Sequence, residues 1–283
     1  MLHNLHKTNN HMINYIKNNI SYLLLLAVII SFTSCEDIIE IDVQDSKSKI
    51  VVDALLNVVE QTATVRLSKT TPLYSTDTTV VDLDASVSLV DKAGNSTPLS
   101  QLTVGEYVAT DLNVQAGQDL TLVVEVDNEV YSGNAIVPEF VELAKVDTLQ
   151  TAFTFGDTTV VFYQVAMEWI DILDVDNFYR LQTYVNDTLE TGQYFLYADT
   201  QNNGIAMNRP IMSFYQPGQN ITLELYSTNE SYYDFYLQVA SIQEQGFGGT
   251  TPFNPQGNMF DSDGNHILGN FGIIQSSSIH VQL

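Results

Sequence analysis

The chain has 283 residues, with 10 Lys and Arg set against 34 Asp and Glu, for a net charge of −24. That balance argues against a nucleic-acid partner, because binding phosphates needs a basic face that so few dispersed cations cannot supply. Hydrophobic residues at 45 % and aromatics at 10 % indicate a folded body rather than an acidic tail, and a single cysteine rules out an internal disulfide, a zinc ribbon or an iron–sulfur cage.

Residues 1–34 contain Lys7 and Lys17, no acid, an apolar run over 20–32, and then Thr33-Ser34-Cys35. A basic start, an apolar middle and small residues before a cut are the order of a secretory signal. An apolar helix of this length reaches only ~20 Å, short of the ~30 Å hydrocarbon core, so the segment reads as cleaved rather than spanning. Cys35 resembles the lipid-bearing cysteine of a bacterial lipobox, with Phe32 where leucine is commoner. The alternative is an ordinary signal followed by a free thiol. Loss of Lys7 and Lys17 takes the net charge from −24 to −26.

Residues 35–49 form an acidic tether. Glu36 and Asp37, followed by Glu40 and Asp42, lie next to Cys35, and such acids resemble the surface-export signal of Bacteroidetes lipoproteins. The expected location is the outer membrane, lipid-anchored and facing the cell surface. These charges can equally serve to keep a tether solvated.

From 50 to 138 the period is two. Ala63, Val65 and Leu67 alternate with Thr64, Arg66 and Ser68, and Leu120, Leu122, Val124 and Val126 form another apolar face. Asp127-Asn128 offers a hairpin turn into Val130 and Tyr131, and Asp91-Lys92-Ala93-Gly94-Asn95 a second turn. Short strands punctuated this way predict an immunoglobulin-like β-sandwich closed by Pro138.

From 139 to 283 a second β-rich region is expected, holding Trp169 and most of the tyrosines. Val165, Met167 and Trp169 share one strand face, Tyr179, Leu181 and Val185 another, and Ile221, Leu223 and Leu225 a third. Ser227-Thr228-Asn229-Glu230 reads as a capping box that opens a helix over about 229–245, with Tyr232, Phe235, Tyr236 and Val239 on its apolar face. That helix packs on a sheet. Gly, Pro and Asn over 246–270 then predict a long loop, before a last strand near 271–274.

Several local strings occur together: Ser34-Cys35-Glu36-Asp37, Lys49-Ile50-Val51-Val52-Asp53, Val65-Arg66-Leu67-Ser68-Lys69-Thr70, Gly105-Glu106-Tyr107, Tyr232-Tyr233, Thr251-Pro252-Phe253 and Gly269-Asn270-Phe271-Gly272. In combination they resemble the domain of unknown function 4249 family of Bacteroidetes outer-membrane lipoproteins. The resemblance implies an accessory role beside a TonB-dependent receptor, binding ligand or capping the receptor during nutrient uptake. It implies no reaction, ligand or catalytic residue. The competing reading is a structural or adhesive envelope module with no transport role.

Catalytic parts are few. Beyond the signal segment only His266 and His280 remain, and there is neither a Gly-x-Ser-x-Gly elbow nor a phosphate loop. The chain is therefore read as a non-enzyme, with glycoside hydrolysis by two carboxylates left open. Two oxygen-rich clusters suit structural calcium, Asp261, Asp263 and Asn265 in one loop and Asp171, Asp174 and Asp176 in another. Solvated Asp/Asn turns are the alternative. Tyr194, Tyr197 and Tyr215 flank a polar stretch as a binding rim, or else pack in strands. Met259 and Phe260 put two large apolar side chains in the polar loop, where exposure makes them partner anchors and burial makes them pins.

Overall fold

The structure, a computed structural model, describes residues 48–71, 84–190, 195–199, 203–244 and 253–283. All of them belong to the compact unit Ser46–Leu283. The expected signal segment, Cys35, Glu36, Asp37 and nearly all of the tether lie outside the described residues.

The described chain is mainly β with one helix. The first strands are β1 (Ile50–Asn57), β2 (Thr62–Lys69), β3 (Ala85–Asp91), β4 (Ser96–Pro98), β5 (Ser100–Thr103), β6 (Glu106–Ala109), β7 (Asp119–Val126) and β8 (Glu129–Ile136). A long hairpin follows, β9 (Leu143–Phe155) with β10 (Thr158–Ile170), and then β11 (Phe178–Val185), β12 (Thr188–Leu189), β13 (Phe195–Ala198), β14 (Ala206–Pro210) and β15 (Asn220–Thr228). Helix α1 (Glu230–Glu244), β16 (Met259–Phe260) and β17 (Leu268–Gln282) complete the order.

The strands form three sheets. A nine-stranded sheet runs β12-β11-β15-β17-β1-β2-β6-β5, with β13 also paired to β11. A five-stranded sheet runs β16-β8-β7-β3-β4, and a three-stranded sheet runs β14-β10-β9. Two buried clusters lie between them. One gathers Val52, Ala54, Leu56, Val65, Leu67, Leu122, Val124, Met259, Phe271 and Ile273, joining one half of the large sheet to the five-stranded sheet. The other gathers Trp169, Tyr179, Leu181, Met207, Ile221, Leu223 and Leu225, joining the other half to the three-stranded sheet. In β1, β2, β7, β11 and β15 alternation does what period two requires: one face supplies a core and the other faces outward. The turn after β7 has Asp127 at φ 55° and Asn128 at φ 63°, the two positive values a type I′ hairpin needs.

Strand β17 is shared by both halves. Its first part pairs in parallel with β1, from Val51 opposite Leu268 to Asn57 opposite Ile274. Its second part pairs antiparallel with β15, from Thr228 opposite Ile274 to Asn220 opposite Gln282. Phe271 and Ile273 enter the first core, while Ile279 and Val281 pack against the second. The strand is thus much longer than the 271–274 segment its apolar run indicates, because Ser276, Ser277 and Ser278 continue the ladder without adding hydrophobic signal.

The capping box is not formed. Ser227 and Thr228 remain in β15, where they pair with Gln275 and Ile274, and ladder continuity overrides the local cap signal. The helix opens one residue before Glu230: the Asn229 carbonyl accepts from the Tyr233 amide at 3.2 Å. The Asn229 side chain serves the sheet instead, Oδ1 accepting from the Ile273 amide at 2.7 Å. The helix packs on the outer face of the large sheet as expected, with Tyr232 buried.

Candidate functional site

The chain expected to loop from 246 to 270 is substantially structured where it is described. Asn258 ties it down, donating from Nδ2 to the carbonyls of Asn134 at 2.8 Å and Phe271 at 3.0 Å and accepting the Phe271 amide on Oδ1 at 2.7 Å. Two glycines permit the approach: a Cβ on Gly257 would overlap the Gly269 carbonyl, and one on Gly133 would overlap the Met259 sulfur. Met259 and Phe260 pair with Gly133 and Ser132 on β8. Met259 is fully buried in the first core and Phe260 is half-buried beside His266, ring centroids 4.4 Å apart. The anchor reading is corrected for Met259 alone, which pins the segment to β8, since strand pairing carries it inward.

The calcium-like loop closes on itself. Asp261 Oδ1 accepts the amides of Asp263 at 3.0 Å and Asn265 at 2.8 Å, and Asn265 Nδ2 donates to Oδ2 at 3.1 Å. Asp91 holds Ala93 and Asn95 in the same way, at 2.9, 2.8 and 2.7 Å. The two turns are twins, each Asp-x-x-Gly-Asn, and in each the amide donors hold the carboxyl below its usual range. The twin at Asp91 has alanine where Asp263 stands, so the motif is a hairpin turn whatever occupies that position.

The second cluster diverges. Asp171 is buried and accepts from the Tyr179 hydroxyl at 2.5 Å and the Gly204 amide at 2.8 Å. Asp174 and Asp176 are exposed, Asp174 in the left-handed region at φ 62°. Asp199 is buried close by, and burial pushes its carboxyl up, reinforced by the charges of Asp171 and Asp176. Among the described residues no group of three or more His, Cys, Asp or Glu is arranged to hold a metal ion.

Of the tyrosine rim, two members are described. Tyr215 is buried and donates to Glu190 at 2.9 Å. Tyr197 is half-buried, edge-on to Trp169 at 6.3 Å with the Arg209 guanidinium 5.0 Å over its ring. Both belong to the packing of the second core. Tyr194 lies outside the described residues. His266 bonds through Nδ1 to the Gly257 carbonyl at 3.2 Å and His280 to Thr222 Oγ1 at 2.8 Å, so the two histidines serve different elements.

Concavities lie among the described residues. One, of about 450 Å³, opens at the start of α1 between Asn134–Glu139 and Val175–Phe178, with Glu139, Asp176 and Glu230 at its lining. A second, of about 500 Å³, is bounded by Lys49, Glu129, Tyr131 and Asp261; burial and the neighbouring Glu129 carboxylate push the Tyr131 hydroxyl up to about 12. The third, of about 310 Å³, is a groove between α1 and the outer face of β1, β2 and β17. Tyr232, Phe235 and Tyr236 form its helical wall, and Asp53, Thr64, Arg66 and Asn270 its floor. This groove sets aromatic surface against hydrogen-bonding side chains. The helix signal exposed its aromatic wall in the sequence, but the floor adds β17 to the β1–β2 hairpin through the parallel β1–β17 pairing, which no local pattern announces.

The model of the family described as Domain of unknown function (DUF4249) matches residues 36–280, and the chain belongs to that family. Among curated proteins none matches. Solved structures with similarity include a two fibronectin type-III domain segment from chicken tenascin, at 11 % identity and a TM-score of 0.22, covering 64 % of this chain and 90 % of that one. The FN1–FN3 domains of chicken CNTN1 match at 7 % identity and a TM-score of 0.26, covering 62 % of this chain and 59 % of that one. Superpositions this loose carry no functional argument.

Proposed function

We propose that this DUF4249 member is a lipid-anchored outer-membrane protein of the Bacteroidetes type, displayed on the cell surface. There it binds ligand for, or caps, a TonB-dependent receptor as an accessory in nutrient uptake. The observation that carries the reading is Ser34-Cys35-Glu36-Asp37 at the end of the apolar run, placed directly ahead of a folded β body. Lipidation of Cys35 supplies the anchor, since each buried methylene contributes ~0.8 kcal/mol and more than one acyl chain holds stably. The acids that follow direct export. A rigid β scaffold with surface concavities and two dispersed histidines suits recognition better than covalent chemistry.

The test is localisation. Cys35→Ala is expected to leave an unlipidated precursor. Glu36→Ala with Asp37→Ala is expected to keep the lipid but lower labelling by a membrane-impermeant reagent on whole cells. Unchanged labelling of the double variant would overturn the export step, and normal membrane anchoring of Cys35→Ala would overturn the lipid anchor.

A further inference from the structure

We propose that the groove between α1 and the outer face of β1, β2 and β17 is a saccharide site that takes a neutral, hydroxyl-rich sugar ring. The proposal rests on the binding role above and names its ligand class and its residues.

The walls of the groove dictate this chemistry. Phe235 and Tyr236 stand at 84° with centroids 5.6 Å apart, and both are half-buried; the Arg180 guanidinium lies 4.7 Å over the Tyr236 ring, so the stacking face of the groove comes from Phe235. An aromatic face is negative at its centre and attracts the polarised C–H groups on one side of a pyranose. Opposite them lie groups that hydrogen-bond. Asn270 is only 4 % exposed, it lines the groove, and its Oδ1 has no hydrogen-bond partner. A buried acceptor left unmatched costs free energy that a ligand hydroxyl would recover. Asp53 extends from β1, where burial raises its carboxyl and the nearby Arg66 charge opposes that rise. Thr64 adds a hydroxyl.

The charge balance selects among ligands. Asp53 and Arg66 supply one negative and one positive group to the same small floor. Arg66 is also paired with Glu106 at 3.3 Å, so the floor offers acceptors and donors with no surplus of positive charge, which favours a neutral ligand over an anion. A net charge of −24 weighs further against anionic ligands. The volume of about 310 Å³ is at the lower end of ligand pockets and fits one or two sugar rings.

The experiment is isothermal titration of the full-length lipidated protein in detergent with neutral trisaccharides of glucose, galactose and mannose, each alongside its sulfated form. At least one neutral trisaccharide is expected to bind, the sulfated form more weakly. Asp53→Ala should weaken binding by about tenfold or more, the effect of losing a charge-assisted hydrogen bond, with the melting temperature at pH 7 no lower than wild type, because burial already disfavours the Asp53 carboxylate in the fold. If Asp53→Ala fails to fold, Phe235→Ala is the second variant and should lose binding likewise. Absence of binding by all three sugars, equal binding of sulfated forms, or full affinity in the folded variant overturns the proposal. Receptor co-purification is read separately, so loss of the sugar site leaves the accessory role standing and the reverse also holds.

Discussion

Tyr232 lies directly over Gly272. A Cβ at position 272 would overlap the tyrosine ring, so the absence of a side chain there lets α1 settle on β17. The same residue pair sets the height of the helix above the sheet and therefore the depth of the groove beside it.

Gly272→Ala should accordingly lift Tyr232 and with it the first turns of α1. Overpacking of a close-fitted site costs about 1–3 kcal/mol, which urea denaturation would register as a lower midpoint. An unchanged midpoint would show that the ring can move aside without cost.

Met259 separates a pin from an anchor. Truncation of a fully buried methionine to Ala costs about 2–5 kcal/mol through lost burial and the cavity left behind, so Met259→Ala should lower stability by that order while Phe260→Ala, at a half-buried site, costs less. Equal and small effects at both positions would contradict the burial assigned to Met259.

Asp199 gives a pH signature. Its carboxyl is raised in the fold from 3.8, by burial first and then by Asp171 and Asp176. The native state therefore binds a proton more tightly than the unfolded chain, and stability falls as pH rises from 3.8 through the native value. Asp199→Asn removes that loss. It should raise the melting temperature at pH 7, with the gain disappearing as the pH drops below 3.8. A gain that persists in acid would point to packing instead of charge.

The twin turns behave in the opposite sense. Asp91 and Asp261 are held below 3.8 by amide donors, so each adds stability above that pH that is lost as pH falls through the lowered native value. Asp91→Asn with Asp261→Asn should flatten the acid limb of the stability profile. Because the Asp261 carboxylate is already satisfied within its turn, calcium should leave the wild-type melting temperature where a chelator leaves it. A calcium-dependent rise would contradict this assignment, since binding to the native state raises stability in proportion to RT ln(1 + [L]/Kd).

Strand alternation, the Asp127-Asn128 turn and the amphipathic helix were legible in the sequence because each is a local pattern that burial repeats faithfully. Ser227 was misread because a serine three residues before a glutamate looks the same whether it caps a helix or ends a strand, and only the register with β17 decides. Met259 was ambiguous for a similar reason: the glycines and asparagines around it signal a mobile loop in one dimension and close backbone approach in three. The groove was the least legible feature. Asp53 and Arg66 face each other across the β1–β2 hairpin, but Asn270 is far along the chain and joins them only through the parallel pairing of β1 with β17.

The most direct measurement of the central claim is affinity purification of the tagged full-length protein from native membranes in mild detergent, followed by mass spectrometry. An accessory of a TonB-dependent receptor predicts reproducible recovery of one β-barrel receptor with wild type and its loss with Cys35→Ala, which cannot reach the outer membrane as a lipoprotein. Recovery of wild type repeatedly without any such receptor would contradict the account.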